Sequence, residues 1–426
     1  MCLYSFGFRK LSFTILPSLQ NIRALNANTL TPPKPSNQSN AAGFPCFFLI
    51  RYSLFKTSML YYLHRKIIMK KYRRFLGFMI FVIYGLLAVT IVLPMVATIC
   101  ICKFAFGKRV GKAKKHMVLE EFPEMITHPV NFKSGKNNLA GFFAVGKDVA
   151  VEDYKAVMIV AHGIGCSRAS YLNRYDYFAR KGYIVFAYDC TGTCESEGDG
   201  ILGLCQSQLD LDCAIKYVSG IEELKGYKIL VYGHSWGGYA AATELNSKTA
   251  QKLTAVASIS GFDDIWGTAK HQMTKYATKM VVLTKPWIYF YYILLYGKRA
   301  LYKGIDGVSN FHGPVLVMHS KDDPTVPYPC SVAIHQKKNK NPQAKFVIYE
   351  DRGHTISRPK EVEQEIKRLH KGKKSQIAMG NTNIFEHNVN TGYEYCDKSL
   401  VYATDYEFLE SVNDFFEEAL ATANAQ

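Results

Sequence analysis

Six short apolar runs recur between residues 156 and 351, and each shows little alternation between apolar and polar positions. Runs of this kind are typical of strands buried on both faces of a parallel sheet. Stretches with helical periodicity separate them, so the pattern predicts an α/β domain with a mostly parallel, doubly wound sheet and helices on both faces. The predicted strands are "AVMIVAH" (156–162), "YIVFAYD" (183–189), "KILVYG" (228–233), "AVASISG" (255–261), "PVLVMHS" (314–320) and "KFVIYED" (345–351).

The same domain, which we place at 116–426, opens with a hairpin and closes with a helix. "MITHPVNF" and "LAGFFAV" flank the turn "KSGKNN", which predicts two antiparallel strands. The closing stretch, "DYEFLESVNDFFEEALA", is amphipathic. Two segments interrupt the alternation, and we expect a cap at about 261–313 and an insertion at about 372–403. Helices between the strands are predicted for "YLNRYDYFARKG", "SQLDLDCAIKYVSG", "GYAAATELNSKTAQ" and "SVAIHQKKNK".

An uncharged stretch of 28 residues, 75–102, precedes this domain. About 20 apolar residues suffice to cross a bilayer. The stretch is longer than the apolar region of a signal peptide, and no convincing small-x-small cleavage site follows it. It therefore predicts one transmembrane helix that holds the protein in a membrane. The positive-inside rule leaves the orientation open, because six basic residues lie on each side: Arg65, Lys66, Lys70, Lys71, Arg73 and Arg74 before it, and Lys103, Lys108, Arg109, Lys112, Lys114 and Lys115 after it.

The positive charge is concentrated in the N-terminal part of the chain. The formal net charge is +17, and residues 1–115 hold 18 of the 52 Lys and Arg residues and no Asp or Glu. The remaining residues carry 34 basic and 35 acidic side chains. The globular part thus has no basic bias, and we expect no nucleic-acid partner.

Residues 1–68 match no folded class. They contain the disorder-like stretch "TPPKPSNQSNAAG" and aromatic runs too short to span a membrane. An organellar transit peptide is one interpretation. The other, which we favour, is that the natural chain starts at Met69, because "MKKYRRF" is a compact basic segment directly before the apolar stretch. Residues 69–115 then comprise this basic segment, the anchor and a basic juxtamembrane segment.

A G-x-S-x-G motif lies between a predicted strand and a predicted helix. It reads Gly233-His234-Ser235-Trp236-Gly237, with "KILVY" before it and "GYAAATEL" after it. In a strand–turn–helix elbow the serine takes a strained backbone conformation, and the flanking glycines avoid clashes. A plain glycine-rich turn is the alternative. The context favours Ser235 as a nucleophile.

A serine hydroxyl needs a base to take its proton, and the base needs an acid to orient it. The strand "VLVMHS" is followed by Asp322 and Asp323, and the strand "FVIYED" is followed by His354. Serine, acid and histidine therefore occur in the chain order that this architecture requires. His354 is the predicted general base and acid.

Backbone donors for a developing oxyanion are also predicted. The loop "HGIG" at 162–165 follows a buried strand, and the N–H group of Ile164 is one candidate donor. The N–H group of Trp236, directly after the nucleophile, is the other. We expect no cofactor. We also expect no metal site, because the seven cysteines that follow the anchor show no metal-ligand pairing: Cys166, Cys190, Cys194, Cys205, Cys213, Cys330 and Cys396.

Together these motifs resemble the α/β-hydrolase family, in particular its serine aminopeptidase and monoglyceride-lipase branch. The resemblance covers about residues 125–355 and the final helix. It rests on "MIVAHGIGCS", "GHSWGG", "DDPTVP" with the later Gly353-His354, and the stretch from Asp189 to Gly198, in which Cys194 takes a usual glycine position. The resemblance implies that the residue before the turn proline is the triad acid, which selects Asp323 over Asp322.

The cap contains nine consecutive apolar or aromatic residues, "WIYFYYILL" at 287–295. A buried helix that only covers the core is one interpretation. A helix apolar on every face would also line a pocket or meet a membrane, and Trp287, Tyr291 and Tyr292 are the candidate substrate contacts. The sequence thus predicts a membrane-anchored serine hydrolase that cleaves lipid-like or acyl esters. A peptidase of the same branch and a non-catalytic membrane-tethered binding protein are the alternatives.

Overall fold

The structure is a computed structural model that describes residues 44–111, 117–274, 279–377 and 397–425. The chain divides into two compact units, Met1–Tyr84 and Gly85–Gln426. The described part of the first unit, residues 44–84, is helical. The second unit contains the whole of the sheet. The predicted leader before residue 44 lies outside the described residues.

An eight-stranded sheet organises the second unit, in the order β1-β2-β4-β3-β5-β6-β7-β8. The β1–β2 and β2–β4 pairs are antiparallel, and all the other neighbouring strands pair in parallel. This confirms the predicted α/β fold with its opening hairpin. The strands are β1 (Met125–Ser134), β2 (Asn137–Gly146), β3 (Ala156–Ala161), β4 (Tyr183–Tyr188), β5 (Lys228–His234), β6 (Ala255–Ile259), β7 (Val315–Ser320) and β8 (Ala344–Tyr349).

Helices cover both faces of this sheet. The α-helices of the described residues are α1 (Phe44–Leu87), α2 (Leu93–Phe106), α3 (Leu172–Arg180), α4 (Gln206–Val218), α5 (Trp236–Glu244), α6 (Ile265–Thr274), α7 (Lys285–Tyr296), α8 (Gly304–Asn310), α9 (Lys360–Ile377), α10 (Lys398–Val401) and α11 (Tyr406–Asn424), of which α1 lies mostly in the first unit. Alternate residues of a strand point to opposite faces of the sheet, so the side chains of β3 belong to two hydrophobic cores, one on each face. Met158 packs with residues of α3 and α11, and Ile159 packs with residues of α4, α5 and α8. Burial on both faces explains why the strand sequences show no alternation.

One predicted helix is wrong. The segment "SVAIHQKKNK" forms only a short 3-10 helix, Ala333–Lys338. The side chains of Asn339 and Asn341 bond to nearby backbone groups instead: Asn339 Nδ2 donates to the Asn341 carbonyl (2.7 Å), and Asn341 Oδ1 accepts from the Gln343 N–H (2.9 Å). Such local bonds compete with helical ones.

The predicted cap region, between β6 and β7, is mostly helical. It contains α6, a 3-10 segment at Lys279–Thr284, α7 and α8. Residues 275–278 lie outside the described residues, as do 378–396 of the predicted insertion. The described ends of that insertion belong to α9 and α10.

The apolar stretch 75–102 is helical throughout. Five residues, Ala88–Val92, form a π-helical turn directly before α2. Pro94 lies in the first turn of α2 and has no N–H to donate to the preceding turn, which explains the local change of pitch. Within the described residues, Arg51–Phe106 is the one helical stretch long and apolar enough to cross a membrane.

Candidate active site

Ser235 lies at a sharp turn between β5 and α5. Its backbone dihedrals are φ 59° and ψ −114°, in a region that residues with a Cβ rarely occupy. The Ser235 N–H donates to the Ile259 carbonyl (2.8 Å) and its carbonyl accepts from the Tyr239 N–H (2.9 Å). Neighbouring elements therefore hold the turn, and Ser235, which is only 5% exposed, lies at the carboxyl edge of the parallel strands, where α/β folds place their ligand sites.

Steric clashes explain why the motif has glycine at positions 233 and 237. A Cβ atom at Gly233 would lie 2.2 Å from the Gly237 carbonyl oxygen, and a Cβ at Gly237 would lie 1.9 Å from the Ala161 carbonyl oxygen. Both contacts are with backbone and cannot be relieved by a side-chain rotation. The close approach of α5 to β5 and β3 thus requires glycine at both positions.

The three residues that the sequence order suggested lie together at this edge. His354 Nε2 is 2.9 Å from Ser235 Oγ, and His354 Nδ1 is 2.7 Å from Asp323 Oδ2. The other carboxylate oxygen of Asp323 accepts from the N–H groups of Thr325 (2.8 Å) and Val326 (2.9 Å). The Asp323 carboxylate is therefore fixed by the turn that it begins, and one oxygen is left to the imidazole.

Asp322 has different partners. Its Oδ1 accepts from the Gly353 N–H (2.8 Å) and from Ser320 Oγ (2.6 Å), and its Oδ2 pairs with Lys367 Nζ (2.6 Å). Burial opposes ionisation of Asp322, but hydrogen bonds from Lys367, Ser320 and Gly353 outweigh it and lower the pKa of this carboxyl. Asp322 thus holds the loop that carries His354.

The backbone of His354 is tied to the serine elbow by residues that the sequence did not reveal. Its carbonyl accepts from Ser260 Oγ (2.8 Å) and lies 3.3 Å from His234 Nε2. The Tyr171 hydroxyl lies 2.7 Å from His234 Nδ1. Burial and the proximity of His354 hold the pKa of His234 well below its usual range. His234 is therefore neutral, and this network assigns the tautomer in which Nε2 donates to the His354 carbonyl and Nδ1 accepts from Tyr171.

The loop after β3 approaches the serine closely. A Cβ atom at Gly163 would lie 3.3 Å from Ser235 Cβ. The Gly163 N–H donates to the Tyr171 hydroxyl (3.0 Å), which leaves Ile164 as the next N–H group along this loop. Trp236 is the first residue of α5, so its N–H has no intrahelical acceptor. Both predicted oxyanion donors therefore belong to segments that adjoin Ser235.

The cap joins the elbow through Tyr292. The Tyr292 hydroxyl accepts from the Leu204 N–H (3.1 Å), and the Leu204 carbonyl accepts from Trp236 Nε1 (2.6 Å). Tyr292 is buried, whereas Trp287 and Tyr291 are half-buried. Contact of these three residues with a substrate stays a prediction.

The loop between β4 and α4 is joined to the segment after α2. Arg109 donates to the carbonyls of Gly198 (2.5 Å), Ser196 (2.8 Å) and Cys194 (2.9 Å). Val110 pairs with the same loop, donating to Gly192 (2.9 Å) and accepting from Cys194 (2.7 Å). We call residues 107–110 with their partners in 192–202 the juxtamembrane seam. Cys194 has a φ of 43°, which is the conformation that favours the glycine expected there.

Residues 152–299 match the family model described as serine aminopeptidase, S33. The matched segment contains Ser235, most of the cap and the four strands β3 to β6, which are neighbours in the sheet in the order β4-β3-β5-β6. The chain has the α/β-hydrolase fold. Asp323 and His354 lie beyond the matched segment. The predicted resemblance to the family is confirmed.

Several solved structures are similar to this chain at low identity. An esterase from Pyrococcus furiosus is 17% identical, with 63% of this chain and 96% of the other covered and a TM-score of 0.45. The acylaminoacyl peptidase of Pyrococcus horikoshii is 17% identical, with 66% and 45% covered and a TM-score of 0.44. The acetyl xylan esterase of Paenibacillus sp. R4 is 17% identical, with 65% and 92% covered and a TM-score of 0.44. A search of curated protein sequences found no significant match.

Proposed function

We propose that this α/β-hydrolase is a membrane-anchored serine hydrolase that cleaves carboxylic esters through an acyl-serine intermediate. The observation that carries the proposal is the pair of contacts of His354, 2.9 Å to Ser235 Oγ and 2.7 Å to Asp323 Oδ2. A nucleophile, a base and an acid within hydrogen-bond distance of one another form a catalytic triad.

The reaction follows from these contacts. His354 Nε2 takes the Ser235 proton as Oγ attacks the ester carbonyl carbon, and the carbonyl electron pair moves to oxygen. The N–H groups of Ile164 and Trp236 donate to this oxyanion. When the tetrahedral intermediate collapses, the alcohol leaves with the proton from His354, and the acyl group stays on Ser235. Water then attacks the acyl-serine by the same route and releases the carboxylic acid. Asp323 orients the imidazole and stabilises its charged form.

The membrane anchor in this proposal is the apolar stretch 75–102. It lies within Arg51–Phe106, which is long and apolar enough to span a bilayer. An anchored hydrolase with an aromatic and aliphatic cap suits a lipid-like ester, whose acyl chain gains about 0.8 kcal/mol for each methylene that it buries. Trp287 and Tyr291 are the half-buried cap residues proposed to contact that chain.

An aminopeptidase of the same branch is the second candidate, because the triad attacks amides and esters alike. It would need a carboxylate for the substrate amine, and Asp263 is the buried acid nearest to the start of the cap. Burial, and then the neighbouring Asp264, raise the pKa of Asp263 to about 6, and its Oδ1 accepts from the Ile305 N–H (2.8 Å). One oxygen of Asp263 is thus already bonded to backbone, and the other lies 3.6 Å from His335 Nε2, which leaves little of the carboxylate for a substrate ammonium group and favours the ester.

A fluorophosphonate probe tests the proposed nucleophile. We expect the full chain to be labelled and Ser235→Ala, folded to the same melting temperature, to remain unlabelled. Absence of labelling in the folded parent chain would instead support a binding protein.

A substrate series tests the bond and the cap. We expect kcat/KM to rise from acetyl to dodecanoyl esters and to exceed that for aminoacyl amides. Tyr291→Ser should flatten the rise, whereas Lys225→Ser, at an exposed position outside the cap, should not. A preference of the parent chain for aminoacyl amides would favour the peptidase.

A further inference from the structure

The outer face of helix α7 is apolar. Pro286, Phe290, Ile293 and Leu294 recur at helical spacing and are exposed, with Leu294 at 66%. Val282 and Leu283, in the 3-10 segment before α7, are also exposed. The opposite face carries the buried Ile288 and Tyr292. A surface helix of a soluble protein normally has a polar face toward solvent, whereas the solvent-facing side of α7 is apolar. We call the exposed residues 282, 283, 286, 290, 293 and 294 the cap face.

The sequence around the cap face has a single sign of charge. Residues 265–305 contain seven Lys or Arg residues and no Asp or Glu, although the domain from 116 onward is close to balanced. Lys285 and Lys298 stand at the two ends of α7 and are exposed. An apolar strip with basic residues at both ends complements a lipid leaflet, whose acyl region accepts the apolar side chains and whose anionic headgroups attract the lysines.

The cap face adjoins the end of the candidate membrane span. Helix α2 packs against α7 and against the 3-10 segment that precedes it. Cys102 of α2 is buried in the same core cluster as Ile288 and Tyr292 of α7. The Leu202 N–H also donates to the Phe106 carbonyl at the end of α2 (3.0 Å). All these residues belong to the unit Gly85–Gln426, so wherever α2 enters a bilayer, α7 is beside it.

We infer that the cap face docks on the anionic lipid leaflet that α2 enters, so that acyl esters reach Ser235 from the bilayer. This inference rests on the proposed function and names the source of its substrate. The inner face of α7 is joined to the nucleophile through the Tyr292, Leu204 and Trp236 hydrogen bonds described above. A helix that lies on the lipid is thereby linked to the elbow that holds Ser235.

The docking itself is tested without any substrate. Leu294→Trp and Val151→Trp each add one tryptophan at matched exposure, since the native side chains are 66% and 67% exposed. Val151 precedes the amino end of β3, whereas the cap follows the carboxyl end of β6, so the two sites lie at opposite edges of the sheet. The full chain is reconstituted in vesicles of phosphatidylglycerol and acyl-brominated phosphatidylcholine, and the emission added by each tryptophan is compared with that in unbrominated vesicles.

We expect bromine to quench the emission added at 294 and to leave that added at 151 unchanged. Equal quenching at both positions, or none at 294, would overturn the inference. Self-association of the reconstituted chain that protects residue 294 from bromine would assign the cap face to a second copy of the chain, and would overturn it as well.

Kinetics with the substrate in two forms completes the test. For a dodecanoyl ester in the same vesicles, Leu294→Ser should raise the apparent KM about tenfold by loss of a buried apolar side chain. The same variant should leave kinetics on a dissolved acetyl ester unchanged, and Val151→Ser should change neither. Equal effects of Leu294→Ser on both substrates would contradict delivery from the bilayer. If the parent chain hydrolyses neither ester, the proposed function fails, and the quenching result still decides the docking.

Discussion

The carboxylates of Asp322 and Asp323 are adjacent in the chain and hold two successive residues of another loop. Asp322 Oδ1 accepts from the Gly353 N–H at 2.8 Å, and Asp323 Oδ2 lies 2.7 Å from His354 Nδ1. The Asp322 carboxylate therefore positions the backbone of the loop, and the Asp323 carboxylate bonds to the imidazole of His354. The two residues offer a matched pair for separating these effects.

Asp323→Asn should lower kcat by about a thousandfold or more, because an amide at this position favours the wrong imidazole tautomer. Asp322→Asn should cost far less, since its amide oxygen can still accept from Gly353. Steady-state kinetics on a soluble ester, with melting temperatures as the control for folding, make the comparison. Equal losses, or a larger loss for Asp322→Asn, would reverse the assignment of the acid.

Ser235→Ala and Ser235→Gly should both lose activity by several orders of magnitude. They should differ in stability. A Cβ atom is strained at φ 59° and ψ −114°, so the glycine variant should be more stable than the alanine variant by about 1 kcal/mol. Chemical denaturation of the two variants measures the difference. A glycine variant no more stable than alanine would mean that the elbow is unstrained.

Cys194→Gly should stabilise the fold relative to Cys194→Ala. The φ of 43° at this position costs a residue with a Cβ about 1 kcal/mol, and glycine removes that cost. The thiol is absent from both variants, so their difference reports the backbone alone. Thermal melts would contradict the reasoning if the alanine variant were the more stable.

Asp405 should contribute to the stability of the domain in a pH-dependent way. It is the N-cap of α11, where its Oδ1 accepts from the Phe408 N–H (3.0 Å), and it also pairs with Arg352. Burial opposes its ionisation, but the bonds from Arg352 and Phe408 prevail and lower its pKa. A lowered pKa gives stability that is present above the unfolded pKa, about 3.9 for an aspartate. That stability is lost as the pH falls through the folded value.

Asp405→Asn should therefore reduce the melting temperature at pH 7 and have a progressively smaller effect below about pH 4. Asp414→Asn, at an exposed position of the same helix, is the control and should have little effect at either pH. A difference between Asp405→Asn and the parent that stayed constant down to pH 2 would rule out the titration of this carboxyl as its cause.

The sequence predicted the parts of the site that depend on local pattern and chain order. Doubly buried strands are continuous apolar runs, so the ends of β5, β7 and β8 could be located, and with them Ser235, Asp323 and His354. The bonds from Tyr171 to His234 and from Ser260 to the His354 carbonyl could not be predicted. They join residues far apart in the chain, and a backbone carbonyl has no sequence signature. The wrong helix at 331–340 failed for a local reason, the competition of asparagine side chains for backbone groups.

The juxtamembrane seam affects what proteolytic cleavage next to the candidate membrane span would do to the domain. Tethered enzymes are commonly released when a protease cuts a slack linker outside the membrane. Here the residues that follow α2 are bonded to the loop between β4 and α4, and Arg109 donates to three carbonyls of that loop. Removal of the chain through Val110 would strip that loop of its partners. For the proposed membrane-anchored hydrolase, cleavage after Val110 should therefore release a domain that is less stable than the intact chain.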